Sequence, residues 1–292
     1  MIKRIENEYL IVEINETGAE LYSLKSKKTG TEYLWQGDPK YWNGRSPILF
    51  PICGRLYQGK YTYNGKEYQM PIHGIVKSAE FSSNKLSEKE IEFTLLSGEE
   101  TKKQYPFDFE FKVKYALKAS GLEITYSINN KDGKEMPFSF GAHPAFNVPF
   151  DKGENFEDYY IEFNKDRLEK LVLSDACFYT VETEKFPLKD GKLPLRHDMF
   201  DNDALFFTAT SGEVLLKSDK NANGIKIVFK DMTCLGLWKA AKVDAPYVCI
   251  EPWHGVPSDD GKVDDLSTKR QTIKLKPSEI FTNSYMIEVM EN

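Results

Sequence analysis

Cysteine and histidine are scarce in this chain, four of each among 292 residues. Cys53, Cys177, Cys234 and Cys249 lie far apart with no CxxC pair, and no HxxxH or HExxH spacing occurs. A preformed zinc site is therefore not expected. GxGxxG, P-loop and GxSxG patterns are also missing, which removes the usual nucleotide and serine-hydrolase signatures. No apolar run approaches the ~18 residues that a membrane-spanning helix requires. The opening segment Met1–Ile14 alternates charged and apolar residues in place of a signal-peptide block. These absences lead to the expectation of a cytoplasmic protein with reduced thiols and no membrane partner. Basic residues do not dominate either: 39 Lys and Arg face 45 Asp and Glu, a net charge of −6. They are spread along the chain, so nucleic acid is not the expected partner.

What is present is a large supply of apolar surface, 40% hydrophobic and 13% aromatic residues. That composition offsets chain entropy and argues against disorder. Its dominant period is two, the mark of half-buried strands. Alternating runs cover Tyr9–Ile14, Ala19–Leu24, Glu90–Leu96, Phe107–Leu117, Leu122–Ile128 and Tyr159–Phe163. Others follow at Leu205–Ala209, Val214–Lys217, Ile225–Phe229, Tyr247–Ile250, Thr272–Leu275 and Ser284–Val289. Asn64-Gly65 between Tyr61–Tyr63 and Glu67–Gln69 predicts a tight hairpin, because both residues tolerate positive φ. Amphipathic helices are nearly absent; Glu99–Gln104 suits one short helical turn. No 20–50-residue repeat and no Pro/Gly/Ser-rich linker interrupts the pattern. The expectation is an all-β chain, one large antiparallel sandwich spanning residues 1–292 as a single domain.

The candidate chemistry gathers where strands end. His73 in Ile72-His73-Gly74 and His143 in Gly141-Ala142-His143-Pro144 stand among apolar residues beside Gly or Pro. Such corners hold backbone conformations rigidly and often carry sites, and they equally suit structural imidazoles. Glu251 follows the apolar run Tyr247–Ile250 and precedes Pro252-Trp253. A carboxylate leaving a buried strand is partly desolvated, which raises its pKa toward a useful general-base value. Trp253 offers a ring face to a sugar. Arg45 and Arg55 sit among apolar residues, where each needs a carboxylate, a ligand or an exit to water.

Taken together, five motifs in order resemble the aldose 1-epimerase (mutarotase) superfamily, and within it the LacX-type branch. They are Asn43–Pro51, Gly54-Arg55, Ile72–Gly74, Gly141–Phe146 and Cys249–Trp253, and the likeness runs from about residue 5 to 290. The resemblance implies a β-supersandwich and cofactor-free interconversion of the α and β anomers of a small reducing sugar, a hexose or hexose phosphate. It further implies that Glu251 is the base at the anomeric hydroxyl, His143 the acid at the ring oxygen and His73 a second sugar-binding imidazole. Arg55 corresponds to the substrate-binding Arg. The hydroxyl-binding Asp corresponds to Asp203, with Asp198 as the alternative. Where relatives often carry Arg three residues after the His-Gly pair, this chain has Lys77, a point charge rather than a bidentate fork. Lys77 and Trp253 complete the expected substrate-binding set. His197 and His254 fall outside the motifs and are expected to be structural or at a pocket rim, and Trp238 suits either pocket wall or core.

Two other readings remain open at this level. A non-catalytic sugar-binding protein could use the same scaffold, although binding alone does not require a matched acid and base. A glycoside hydrolase would need two positioned carboxylates, and only Glu251 lies in a well-specified motif. The sequence ranks no oligomeric state.

Overall fold

A computed structural model of the chain describes residues 1–208 and 210–291. Two antiparallel sheets carry the architecture. The nine-stranded sheet runs in the order Lys192–Pro194, Tyr159–Phe163, Glu213–Ser218, Gly224–Val228, Ile280–Met290, Gly121–Asn130, Phe109–Lys118, Glu90–Leu96 and Ser82–Lys85. The second sheet, of eight strands, runs from Tyr179–Pro187 through Arg167–Leu173, Leu205–Thr208, Cys234–Trp238, Tyr247–His254 and Phe140–Ala142 to Ile48–Leu49. Its eighth strand, Ala145–Asn147, also pairs with Tyr247–His254. Smaller sheets flank them, including the expected hairpin of Lys60–Tyr63 and Lys66–Gln69, closed by Asn64 and Gly65 at φ of 50° and 75°. One six-residue α-helix, Glu99–Gln104, stands where the sequence allowed a helical turn.

The strands form where side chains alternate. Leu10–Asn15 buries every second residue, and Gly121–Asn130 sends Leu122, Ile124, Tyr126 and Ile128 to one face. These faces meet in a core shared by both large sheets, with Phe111, Ile124, Ile227 and Ile287 on one side and Phe207, Leu235, Val248 and Ile250 on the other. That layering is a sheet-on-sheet sandwich. The alternating runs read from sequence reappear within a few residues of their expected bounds. Leu205–Ala209 is observed as Leu205–Thr208, Ala209 lying outside the described residues.

One strand departs from the alternating pattern. Tyr247–His254 is buried at seven of its eight positions. Val248 and Ile250 face the shared core, while Cys249 and Trp253 enter two separate apolar clusters on the opposite face. Glu251 lies on that second face. Sandwiching by covered surfaces on both sides explains why this strand reads as a continuous apolar run.

Phe50 ties the core to the loop that carries His73. Its ring meets those of Phe111 at 4.9 Å, Phe109 at 5.3 Å, and Tyr105 and Phe138 at 5.6 Å. Its N–H donates to the His73 carbonyl (3.3 Å), and its own carbonyl accepts from the Ile75 N–H (2.9 Å). Phe50→Ala is therefore expected to lower unfolding stability by about 3–5 kcal/mol, measured by urea denaturation. A loss under about 1 kcal/mol would mean that the surrounding rings collapse into the space.

Candidate active site

Register builds the centre of the site. Phe140 pairs with His254, Gly141 with Trp253, and Ala145 with Cys249. The same antiparallel register carried across the intervening residues sets His143 opposite Glu251. On the other flank, Gly236 pairs with Glu251. The outcome is a direct contact, His143 Nε2 to Glu251 Oε1 at 3.3 Å, with both side chains almost wholly buried.

Rings hold the imidazole in place. Trp42 stacks on His143 with centroids 5.1 Å apart, while His73 at 5.2 Å and Trp238 at 5.7 Å meet it edge-on. His73 has a left-handed backbone (φ 66°), followed by Gly74 at φ 79°. A Cβ at Gly74 would sit 2.0 Å from the Phe50 carbonyl oxygen, so this corner requires glycine. The Gly54 N–H donates to His73 Nδ1 at 3.2 Å. In the neutral ring Nε2 then carries the proton, making His73 a donor.

Opposite the dyad, Arg55 Nη2 donates to Asp203 Oδ2 at 2.8 Å in a half-exposed pair. Asp203 is set by a left-handed backbone (φ 79°) and by its N–H bond to the Phe200 carbonyl. Lys77 lines the same space and forms no ion pair among the described residues. These groups enclose a cavity of about 560 Å³ whose wall includes Arg55, His73, Lys77, His143, Asp203, Glu251 and Trp253. The whole set expected from the motifs thus faces one cavity. Trp253 is only 1% exposed and packs on Phe206 at 4.7 Å, so it forms floor rather than an open platform. Asp198 is exposed, bonded to Arg196, and does not line the cavity.

Several other residues are absorbed elsewhere. Arg45 lies over the Tyr22 ring and donates to the Tyr22 carbonyl and to Gln36. His197 stacks on Phe156 and His254 on Phe140. Trp42 and Glu20 are among the wall residues that sequence reading missed. Trp42 sits in a loop whose pattern carries no period. Glu20, whose Oε1 accepts the N–H groups of Arg45 and Ser46, resembles a solvent-facing position of an alternating strand.

Burial dominates the electrostatics. Loss of water, reinforced by the Asp203 charge, raises the Glu251 pKa well above the ordinary carboxylate value; the Trp253 indole opposes this weakly, without full hydrogen-bond geometry. Desolvation, with Lys77 adding to it, lowers His143 to about 3. His73 is lowered by burial and then by His143, Lys77 and Arg55. Both shifts favour the uncharged pair, with the proton on Glu251 rather than on His143, because low dielectric penalises either charge. The Cys249 thiol joins His143 and Glu251 in a group whose donor atoms lie within 4.8 Å of one another, the set among the described residues that could hold a soft divalent ion. Burial keeps that thiol protonated.

This arrangement costs stability. The folded chain holds a proton on Glu251 that the unfolded chain releases above pH 4.5, the ordinary carboxylate value, so the site's contribution to stability falls as pH rises through that point. Glu251→Gln is expected to melt at a higher temperature than the native chain at pH 7, with the difference closing as pH falls to 4.5. A pH-independent difference in thermal unfolding would mean that the folded chain carries the carboxylate charged.

Comparison with known proteins finds relatives along the chain. Residues 2–263 match the aldose 1-epimerase family. Protein LacX (plasmid) of Lactococcus lactis is 33% identical over 99% of this chain and all of LacX. The structure of a galactose mutarotase related enzyme from Lactobacillus acidophilus superposes with a TM-score of 0.94 at 36% identity, covering 99% of this chain and 97% of that one. A galactose mutarotase-like protein from Lactobacillus casei gives 0.93 at 31% identity, covering 99% and 100%.

Proposed function

The chain belongs to the aldose 1-epimerase family, and from that premise we propose that it interconverts the α and β anomers of a free reducing hexose by acid–base ring opening. The 3.3 Å contact between His143 Nε2 and Glu251 Oε1 is the observation that carries this reading. Ring opening needs a proton removed from the anomeric hydroxyl and one delivered to the ring oxygen. Both oxygens are bonded to the same carbon, so acid and base must stand side by side.

Glu251 accepts the hydroxyl proton and His143 donates to the ring oxygen. The C–O bond then breaks, leaving an aldehyde that rotates, and closure on its other face reverses both transfers. Sugar binding must first move the shared proton from Glu251 to His143. A hydroxyl donating to the carboxylate and a ring oxygen accepting from the imidazole both favour that shift. His73 Nε2–H, Arg55, Asp203 and Lys77 hold the remaining hydroxyls, and Trp42 supplies the open ring surface. No electron leaves the sugar, so the reaction calls for no redox cofactor.

NMR exchange or polarimetry from pure α-D-glucose and α-D-galactose, with hexose 6-phosphates in parallel, tests the reading. Glu251→Gln and His143→Ala are each expected to reduce acceleration over the buffer blank by about 10²–10⁴-fold. A folded Glu251→Gln variant with native activity would overturn the assignment. Saturable sugar binding without acceleration would leave a binding protein.

The pH profile gives a separate check. Because burial lowers His143 to about 3 and raises Glu251, which then carries the exchanged proton, kcat/KM should show no alkaline limb at 6.5, the value at which an ordinary imidazole acid loses its proton. A limb there would assign the proton to an imidazole exposed to water.

A further inference from the structure

Cys249 and Glu251 stand two residues apart on one face of strand Tyr247–His254, and His143 meets them from the neighbouring segment. The Cys249 thiol has no part in the acid–base reading. It nevertheless lies with the carboxyl and the imidazole in one buried group whose donor atoms are within 4.8 Å of one another. We propose that these three residues form an inhibitory binding site for a soft divalent cation of the zinc class, which withdraws both acid and base from the reaction. The loss of activity rests on the epimerase reading above; the binding of the ion does not.

The sheet delivers the donors already placed. Ala145 and Trp238 pair with Cys249 from either side, and Gly236 pairs with Glu251, so flanking chain fixes the thiol and the carboxyl. Rings fix the third donor: Trp42 stacks on His143, whose Nε2 is already 3.3 Å from Glu251 Oε1. Tetrahedral zinc, with bonds of roughly 2.0–2.3 Å, sets its donors roughly 3.3–3.7 Å apart, so rotation of the Glu251 and Cys249 side chains has to close the group by about 1–1.5 Å at most. Glu251 and His143 line the first cavity and Cys249 does not. An ion therefore enters from the cavity, meets the thiol at the inner end, and takes water from the cavity as its fourth ligand.

The donor set selects the ion. Sulfur and imidazole favour zinc and cadmium over magnesium and calcium, which take oxygen ligands. On binding, the ion bonds to the thiolate, the carboxylate and the neutral imidazole Nε2, and two protons leave through the cavity to water. Two anionic ligands against two positive charges make a neutral assembly, which suits a site where burial penalises net charge. The carboxylate and the Nε2 lone pair are then occupied, and neither exchanges a proton with a sugar. Two features keep the ion reversible. His143 Nδ1 is buried and finds no hydrogen-bond partner among the described residues, whereas imidazoles that hold resident metals donate from their second nitrogen. Arg55 and Lys77 also add positive charge to the cavity wall. A second cavity, of about 930 Å³, adjoins the first at Asp203 and Cys177 and contains none of the three donors. Its wall offers carboxylates and the half-buried Cys177 thiol but no imidazole, which makes Cys177 the control for thiol binding elsewhere.

Co²⁺ and Zn²⁺ are the probes, added to the full chain after EDTA treatment and dialysis. One Co²⁺ per chain is expected, with the near-ultraviolet charge-transfer absorption of a cobalt–thiolate bond, and Zn²⁺ should displace it. Under saturating Zn²⁺, anomer exchange of glucose or galactose should fall at least about tenfold and return on addition of EDTA, while Mg²⁺ and Ca²⁺ leave it within about twofold. Cys249→Ala and Cys249→Ser should each abolish the absorption and weaken zinc inhibition at least about tenfold, with metal-free exchange within about twofold of native and melting temperature confirming the fold. Cys177→Ala should leave the absorption and the inhibition in place. Failure to bind one ion per chain, or binding that survives loss of the Cys249 thiol, overturns the proposal. A response lost only in Cys177→Ala places the ion at the cavity mouth and overturns it equally. A bound ion with undiminished exchange overturns the inhibitory role. If no sugar is exchanged faster than the blank, the epimerase reading fails and the inhibitory role falls with it, while the cobalt absorption and its loss in the Cys249 variants still decide whether the ion site exists.

Discussion

The antiparallel register on strand Tyr247–His254 is the constraint on which the site depends. Pairing of Gly141 with Trp253 and of Ala145 with Cys249 leaves His143 no position except across from Glu251. A slip of one residue would turn Glu251 into the shared core and bring Val248 and Ile250 out to the cavity. The core forbids that slip, because Val248 and Ile250 are fully buried against the opposite sheet. Hydrophobic packing on one face thus fixes acid–base geometry on the other.

The same burial that orients the dyad sets its protonation. A carboxylate and an imidazole excluded from water share one proton, since charging either without the other is expensive. Trp42, Trp238 and His73 surround the imidazole and replace water with ring surfaces. Around this dry centre the polar rim is of another kind. The Arg55–Asp203 pair is half-exposed and contributes little to stability, so its residues are free to serve a ligand. A dry end at His143 and Glu251 and a wetter end at Arg55 and Asp203 give the cavity its polarity, and the adjoining space opens at the wetter end.

Some elements were legible because their physics is local. Glu90–Leu96 and Tyr159–Phe163 are observed at the bounds that alternation gives them, and Asn64-Gly65 forms the expected turn. Strands that escaped reading have identifiable reasons. Tyr179–Pro187 is exposed over most of its length, so no apolar alternation marks it. Ile48–Leu49 and Phe140–Ala142 are two and three residues long, too short to show a period. Cys234–Trp238 has a glycine at its centre and is buried on both faces.

The sequence by itself marked out the side chains that are candidates for chemistry. Glu251 after an apolar run, two imidazoles at Gly- and Pro-marked corners, and Arg55 after Gly54 are unusual where they stand, and local desolvation and backbone restriction make them so. Tertiary structure decided their adjacency and their surroundings. It chose Asp203 over Asp198 by facing one into the cavity and leaving the other on the surface with Arg196. It also brought in Trp42 and Glu20, withdrew Trp253 to the floor, and opened the second cavity beside Asp203. Those outcomes depend on which strands pair and which loops cover them, contacts between residues 25 to 148 positions apart in the chain, and no local pattern encodes them.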